Sequence, residues 1–221
     1  MIHDLRFTIF KGTAFICLFL LLVTTYSYAQ DKGFRGGIMF GAVASQVDGD
    51  MLIGYNKGGL QGGMFIANKF TKHWGIQIEM KYIQKGSRTT SVPADTANVN
   101  GDTTRYYKLR LSYIDVPFIF TYNIGKRFML EAGLGFAYLF RVREDIGGYG
   151  MSPLMQNERP FNRMEFPFVF GVAFYPAKNF HIDFRYSYSI LPIRAHPANQ
   201  TWYFNRGQYN NLLSFGMFLN I

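Results

Sequence analysis

One cysteine is all this sequence contains, Cys17, and it lies inside an apolar run near the N-terminus. A disulfide-stapled scaffold is therefore excluded, as is any C-x-x-C centre. A lipoprotein would need its cysteine at the end of that run, after small residues, and none stands there. Beyond residue 30 no segment reaches eighteen apolar residues, so no helical span is available to the rest of the chain. Histidine is scarce and scattered, at His3, His73, His181 and His196, and neither H-E-x-x-H nor G-x-S-x-G occurs.

The N-terminus reads as an export signal over residues 1–29. Arg6 and Lys11 supply the positive start, Ala14 to Val23 is an unbroken apolar stretch, and Ser27-Tyr28-Ala29 places small residues where a signal peptidase inspects them. Ten helical residues cover roughly 15 Å, about half a bilayer core, which suits a signal better than an anchor. Cleavage after Ala29 would leave Gln30 first and residues 30–221 as one domain. Without Arg6, Lys11 and Asp4, 21 Lys+Arg face 13 Asp+Glu, a formal charge of +8. The basic residues form no run and an exported chain rarely meets nucleic acid, so no nucleic-acid partner is expected. Outer-membrane lipid and lipopolysaccharide are the natural anionic partners.

What the chain has in quantity is aromatic residue and glycine: 23 Phe, 15 Tyr and 23 Gly. That mixture suits twisted, closely packed strands rather than helices. Period-two alternation follows. Phe180, Ile182, Phe184, Tyr186, Tyr188 and Ile190 alternate with His181, Asp183, Arg185, Ser187 and Ser189. Leu213, Phe215, Met217, Leu219 and Ile221 alternate with Leu212, Ser214, Gly216, Phe218 and Asn220. Ile76, Ile78, Met80 and Tyr82 form a third such face. In a fourth strand, Tyr107 to Tyr122, the apolar phase changes between Tyr113 and Val116, and with Pro117 following this predicts a β-bulge at Ile114-Asp115.

With further stretches near 34–47, 59–69, 128–141 and 163–176, the count is eight strands. Their connections alternate, short near 70–74, 123–127 and 176–179, long near 48–58, 90–105, 142–162 and 195–208. This pattern predicts an all-β fold, an eight-stranded antiparallel up-and-down transmembrane β-barrel with long loops outside and short turns in the periplasm. The short turns carry Lys69, Lys72, Lys126, Arg127 and Lys178, with Phe70, Trp74, Phe128, Tyr175 and Phe180 beside them as an aromatic girdle.

In such a barrel the apolar set faces lipid and the polar set the lumen. The expected lumen set is Gln77, Glu79, Lys81, Arg110, Ser112, Glu131, Gly133, Gly135, His181, Asp183, Arg185, Ser187, Ser189, Ser214 and Gly216. Eight strands leave room only for side chains. Three acids against three bases there predict an ion-paired, filled lumen rather than an open pore. The alternative is a soluble, small-molecule-binding, lipocalin-like barrel with the faces exchanged. Its small interior would have to hold the Phe, Tyr and Met of strand after strand.

No active site, cofactor site or metal site is expected. Gly133-Leu134-Gly135 lacks the third glycine of a phosphate cradle, and Asp48-Gly49-Asp50 lacks the remainder of a calcium loop and reads as a turn. His181 and Asp183 with nearby serines raise a barrel-embedded hydrolase as a less favoured reading. The aromatic loop Asn199 to Phe204 is expected to fold over the barrel mouth.

Several segments resemble the PorT-like barrels of Bacteroidetes. These are Ser45-Gln46-Val47-Asp48-Gly49-Asp50, Gly54 to Leu60, Gln84-Lys85-Gly86-Ser87, Tyr113-Ile114-Asp115-Val116-Pro117, Tyr186 to Ile190 and Gln208-Tyr209-Asn210-Asn211. They occur in the family's order over nearly the whole mature chain. The resemblance implies an outer-membrane barrel of the porin-like superfamily without catalytic residues. It also implies a link to type IX protein secretion or surface assembly, hence a partner in that machinery or at the surface. Ile221 departs from the terminal aromatic of many outer-membrane barrels, leaving Phe218 the nearest aromatic.

Overall fold

Alternation along a strand has meaning only if the two faces meet different surroundings, and a closed sheet supplies them. A computed structural model describes residues 33–50, 52–89, 106–147, 159–195 and 207–221. The export signal expected over 1–29 and the aromatic loop Asn199 to Phe204 lie outside the described residues. Nine extended segments appear: β1 (Phe34–Asp48), β2 (Lys57–Lys69), β3 (Trp74–Arg88), β4 (Tyr106–Ile124), β5 (Phe128–Gly147), β6 (Met164–Glu165), β7 (Pro167–Ala177), β8 (Phe180–Ser189) and β9 (Tyr209–Asn220). β6 and β7 are one strand in a single register against β5, since Tyr138 pairs with Met164 and Leu134 with Phe168. The break falls at Phe166, before a proline that has no N–H to give.

The result is the expected eight-stranded antiparallel barrel. Each strand pairs with its sequence neighbours, β1 pairs with β9, and β4–β5 closes the ring. The three short turns lie at one end and the four long connections at the other. The Asp48-Gly49-Asp50 segment is a turn, with Gly49 at a φ of 91°.

The outer wall is apolar over a broad band. Phe40, Met64, Met80, Phe118, Phe120, Leu134, Phe170, Phe184 and Phe215 all project outward and stay exposed. So large a continuous apolar surface excludes a water-soluble carrier and fits lipid. Phe70, Trp74 and Phe128 stand at its turn-side edge as the girdle requires. Tyr175 does not; its ring lies against lumen-facing His181, 4.7 Å between centroids.

β4 holds the main correction. Its pairing with β3 lapses only at Val116-Pro117 and keeps one register on both sides, Ile78 with Phe118 and Lys81 with Asp115, so there is no bulge at Ile114-Asp115. Odd-numbered side chains from Tyr107 to Asn123 all face inward. The extra residue belongs to β5: Ser112 pairs with Arg141 but Tyr113 with Leu139, leaving Phe140 between them. The change of apolar phase in β4 is instead a change of surroundings. β4 and β5 are 19 and 20 residues long, against the ~9–11 that cross a bilayer, so their ends continue beyond the lipid band. There apolar side chains join the interior, with Val43, Val47, Ile83, Leu109, Leu111, Leu139 and Leu212 in one buried cluster. The exterior becomes polar.

Candidate functional site

A barrel of eight strands can place charge inside only if the charges answer one another, because burial of a lone ion costs several kcal/mol. The lumen does so around Arg185 of β8. Its Nε and Nη2 donate to the Glu131 carboxylate at 2.6 and 3.1 Å, and its Nη1 donates to Glu79 Oε1 at 2.7 Å. Asp183 Oδ2 lies 2.7 Å from the same Nε, an ion-pair contact only, since that nitrogen's one hydrogen points to Glu131. Lys81 Nζ and Gln77 Nε2 donate to Glu79 at 3.0 and 2.8 Å. β3, β5 and β8 are thus tied together across the lumen.

Space for these groups comes from glycines facing them. A Cβ at Gly216 would meet Asp183 Oδ1 at 2.4 Å, and one at Gly171 would meet Arg185 Cγ at 2.6 Å. A side chain at either position would push the ion cluster apart.

A second buried cluster lies toward the long loops. Lys85 Nζ donates to Glu165 Oε1 at 2.9 Å, Ser189 Oγ to the same oxygen at 2.7 Å, and Asn210 Nδ2 to Glu165 Oε2 at 2.9 Å. Asn210 also reaches Tyr113, whose ring lies 4.8 Å from the Lys85 ammonium. Below the Arg185 cluster, toward the turns, Phe65, Phe218 and His181 close the lumen, with His181 and Phe218 stacked at 4.5 Å. Above both clusters, Phe161, Arg194 and Gln208 form bridges across the long-loop mouth. Arg194 is held there by Glu144 at 3.1 Å and the Phe161 ring at 4.4 Å.

Most expected lumen residues are where alternation put them: Gln77, Glu79, Lys81, Glu131, His181, Asp183, Arg185, Ser189 and Ser214 are buried inside. Arg110 and Ser112 are not. They lie on the outer wall of β4, where Arg110 pairs with Asp145. Lys85, Asp115 and Glu165, buried inside, escaped the sequence reading. Within the strand-lined part of the lumen, Glu79, Asp115, Glu131, Glu165 and Asp183 thus stand with Lys81, Lys85 and Arg185. Lys85 was reachable by extending the Lys81, Ile83 phase by one step, and Glu165 by extending the Gly171, Val169, Pro167 phase backward.

Among the described residues His181 and Asp183 are not assembled into a hydrolytic arrangement. His181 is sandwiched between the Tyr175 and Phe218 rings, whereas Asp183 is committed to Arg185. Among the described residues no group of three or more His, Cys, Asp and Glu could hold a metal ion.

A family model described as "Outer membrane protein beta-barrel domain" matches residues 28–194. No curated protein sequence matches. Among solved structures, Ail of Yersinia pestis is 17% identical, covering 85% of this chain and 98% of its own, with a TM-score of 0.45. Neisserial surface protein A is 12% identical, covering 86% and 97%, with a TM-score of 0.49. OprG of Pseudomonas aeruginosa is 11% identical, covering 85% and 94%, with a TM-score of 0.38. Likeness this distant says nothing of what this chain binds.

Proposed function

The chain belongs to the outer membrane protein β-barrel domain family, and from that premise we propose a non-enzymatic outer-membrane barrel that acts through its protruding loop-side end. Its lumen serves as a structural core, not a conduit. The observation that carries this reading is the Arg185 cluster, which joins three strands at the centre of the barrel. A conduit would need that centre open.

The biological setting we propose is assistance to protein secretion of the type IX kind, or to surface assembly, in a Bacteroidetes cell. Support comes from the PorT-like segments, among which Tyr113, Asp115 and Pro117 point into the lumen and Tyr186 and Tyr188 point out of it. Deleting the gene and assaying secreted and surface proteins tests this setting, and unchanged secretion would sink it. Residues 1–29 are proposed to be removed on export, so mass spectrometry of the mature protein should find Gln30 at its start.

A further inference from the structure

Beyond the lipid band, the outer wall of β3, β4 and β5 carries a basic groove. Met80, Ile114 and Tyr138 are exposed apolar neighbours on its lipid side, and Phe140 and Val142 of β5 are exposed beside it. One rung farther out, Gln84 pairs with Ser112 and Ser112 with Arg141; next come Gly86, Arg110 and Arg143; then Arg88, Lys108 and Asp145. Gly86 contributes no side chain to its rung, and Gly58 of β2 has open space where a Cβ would stand. Together they leave a concavity of about 470 Å³ lined by Lys57, Arg88, Lys108, Arg110, Arg141 and Arg143. Among the described residues Asp145 is the one carboxylate paired with any of these cations. At the floor, Gln84 Nε2 donates to the Tyr82 hydroxyl at 2.9 Å, and the Tyr82 ring lies 6.0 Å from Phe140. The floor is thus continuous with the lipid-facing aromatics.

We infer that this groove binds the phosphorylated headgroup of a glycolipid of the outer leaflet, the lipid A part of lipopolysaccharide. Three features favour a lipid over a soluble anion. The groove opens sideways from the barrel wall rather than upward from its mouth. It begins one rung above the exposed Ile114 and Tyr138 and beside the exposed Phe140, so acyl chains covering these side chains would bring headgroup phosphates to its level. Its arginines present planar forks suited to phosphate oxygens. The inference rests on the outer-membrane placement alone and is independent of any part in secretion.

The test uses the full barrel folded in detergent micelles, with native mass spectrometry to count retained lipid. Bisphosphorylated lipid A is compared with the same lipid stripped of phosphate, and with heparin as a soluble polyanion. Bisphosphorylated lipid A should be retained and the dephosphorylated form lost. The double variant R141Q/R143Q changes two exposed side chains. It should keep its heat-modifiable gel migration yet bind roughly thirtyfold more weakly, at about fivefold per basic residue beside an anionic surface. Equal retention of the dephosphorylated lipid, or undiminished binding by the variant, would overturn the inference. Heparin binding without lipid A retention would overturn it too, assigning the groove to a soluble polyanion.

Discussion

Arg185 on β8 reaches across the lumen to Glu79 on β3, its Nη1 2.7 Å from Oε1. Both side chains are buried, and the same guanidinium also answers Glu131 and Asp183. Replacing it by methionine strands Glu131 and Asp183 and leaves Glu79 to Lys81 and Gln77, so R185M should lose about 3–5 kcal/mol of stability. Urea unfolding in lipid vesicles, followed by gel migration, measures this. Adding E79Q and E131Q should recover part of the loss, and an unchanged midpoint would mean that water already solvates the lumen.

The same geometry predicts electrical silence. The barrel reconstituted in a planar bilayer should pass no discrete ion current. Channel openings of steady size would contradict a lumen bridged by Arg185 and by the Lys85–Glu165 pair.

Outer-wall substitutions should depend on depth. Phe118 is 47% exposed within the apolar band, so F118R should destabilise the barrel in vesicles by about 2–4 kcal/mol. Ser112 lies above that band, where arginine should change stability by less than about 0.5 kcal/mol. Equal effects at both sites would misplace the band.

Asp50, a buried residue of the β1–β2 connection, supplies a pH dependence. Burial pushes its carboxyl up to about 6, only partly offset by hydrogen bonds from Ser87 and the Leu52 N–H. A raised acid binds its proton more tightly in the folded state, so it contributes most stability below the unfolded value. Stability should fall by up to about 3 kcal/mol as pH rises from about 4 to about 6. The D50N variant should lose that slope in thermal unfolding across the window; a slope unchanged by the substitution would rule Asp50 out as its source.

Strand number, pairing order and the faces of β8 and β9 were legible because one face met lipid and the other turned to the interior along their whole length. β4 was harder. The shift from Leu109, Leu111 and Tyr113 to Val116, Phe118 and Phe120 has two physical explanations, an added residue or exchanged surroundings, and a linear pattern cannot separate them. Exchange is the correct one, and it moves Arg110 and Ser112 from the lumen to the outer wall. The real irregularity, at Phe140, is masked because it ends the unbroken aromatic and apolar run Phe136 to Phe140, in which no polar residue marks the alternation. Tyr175 misled for a related reason: at a strand end, an aromatic ring suits a headgroup layer and a lumen stopper equally well.

The basic strand ends also bear on how such a barrel reaches its place. During insertion Arg110, Arg141 and Arg143 must travel through hydrocarbon, where a basic side chain costs about 2–4 kcal/mol near the midplane. Once they have emerged, the same barrier opposes withdrawal. The tips of β4 and β5 therefore slow escape and hold the inserted barrel kinetically in place.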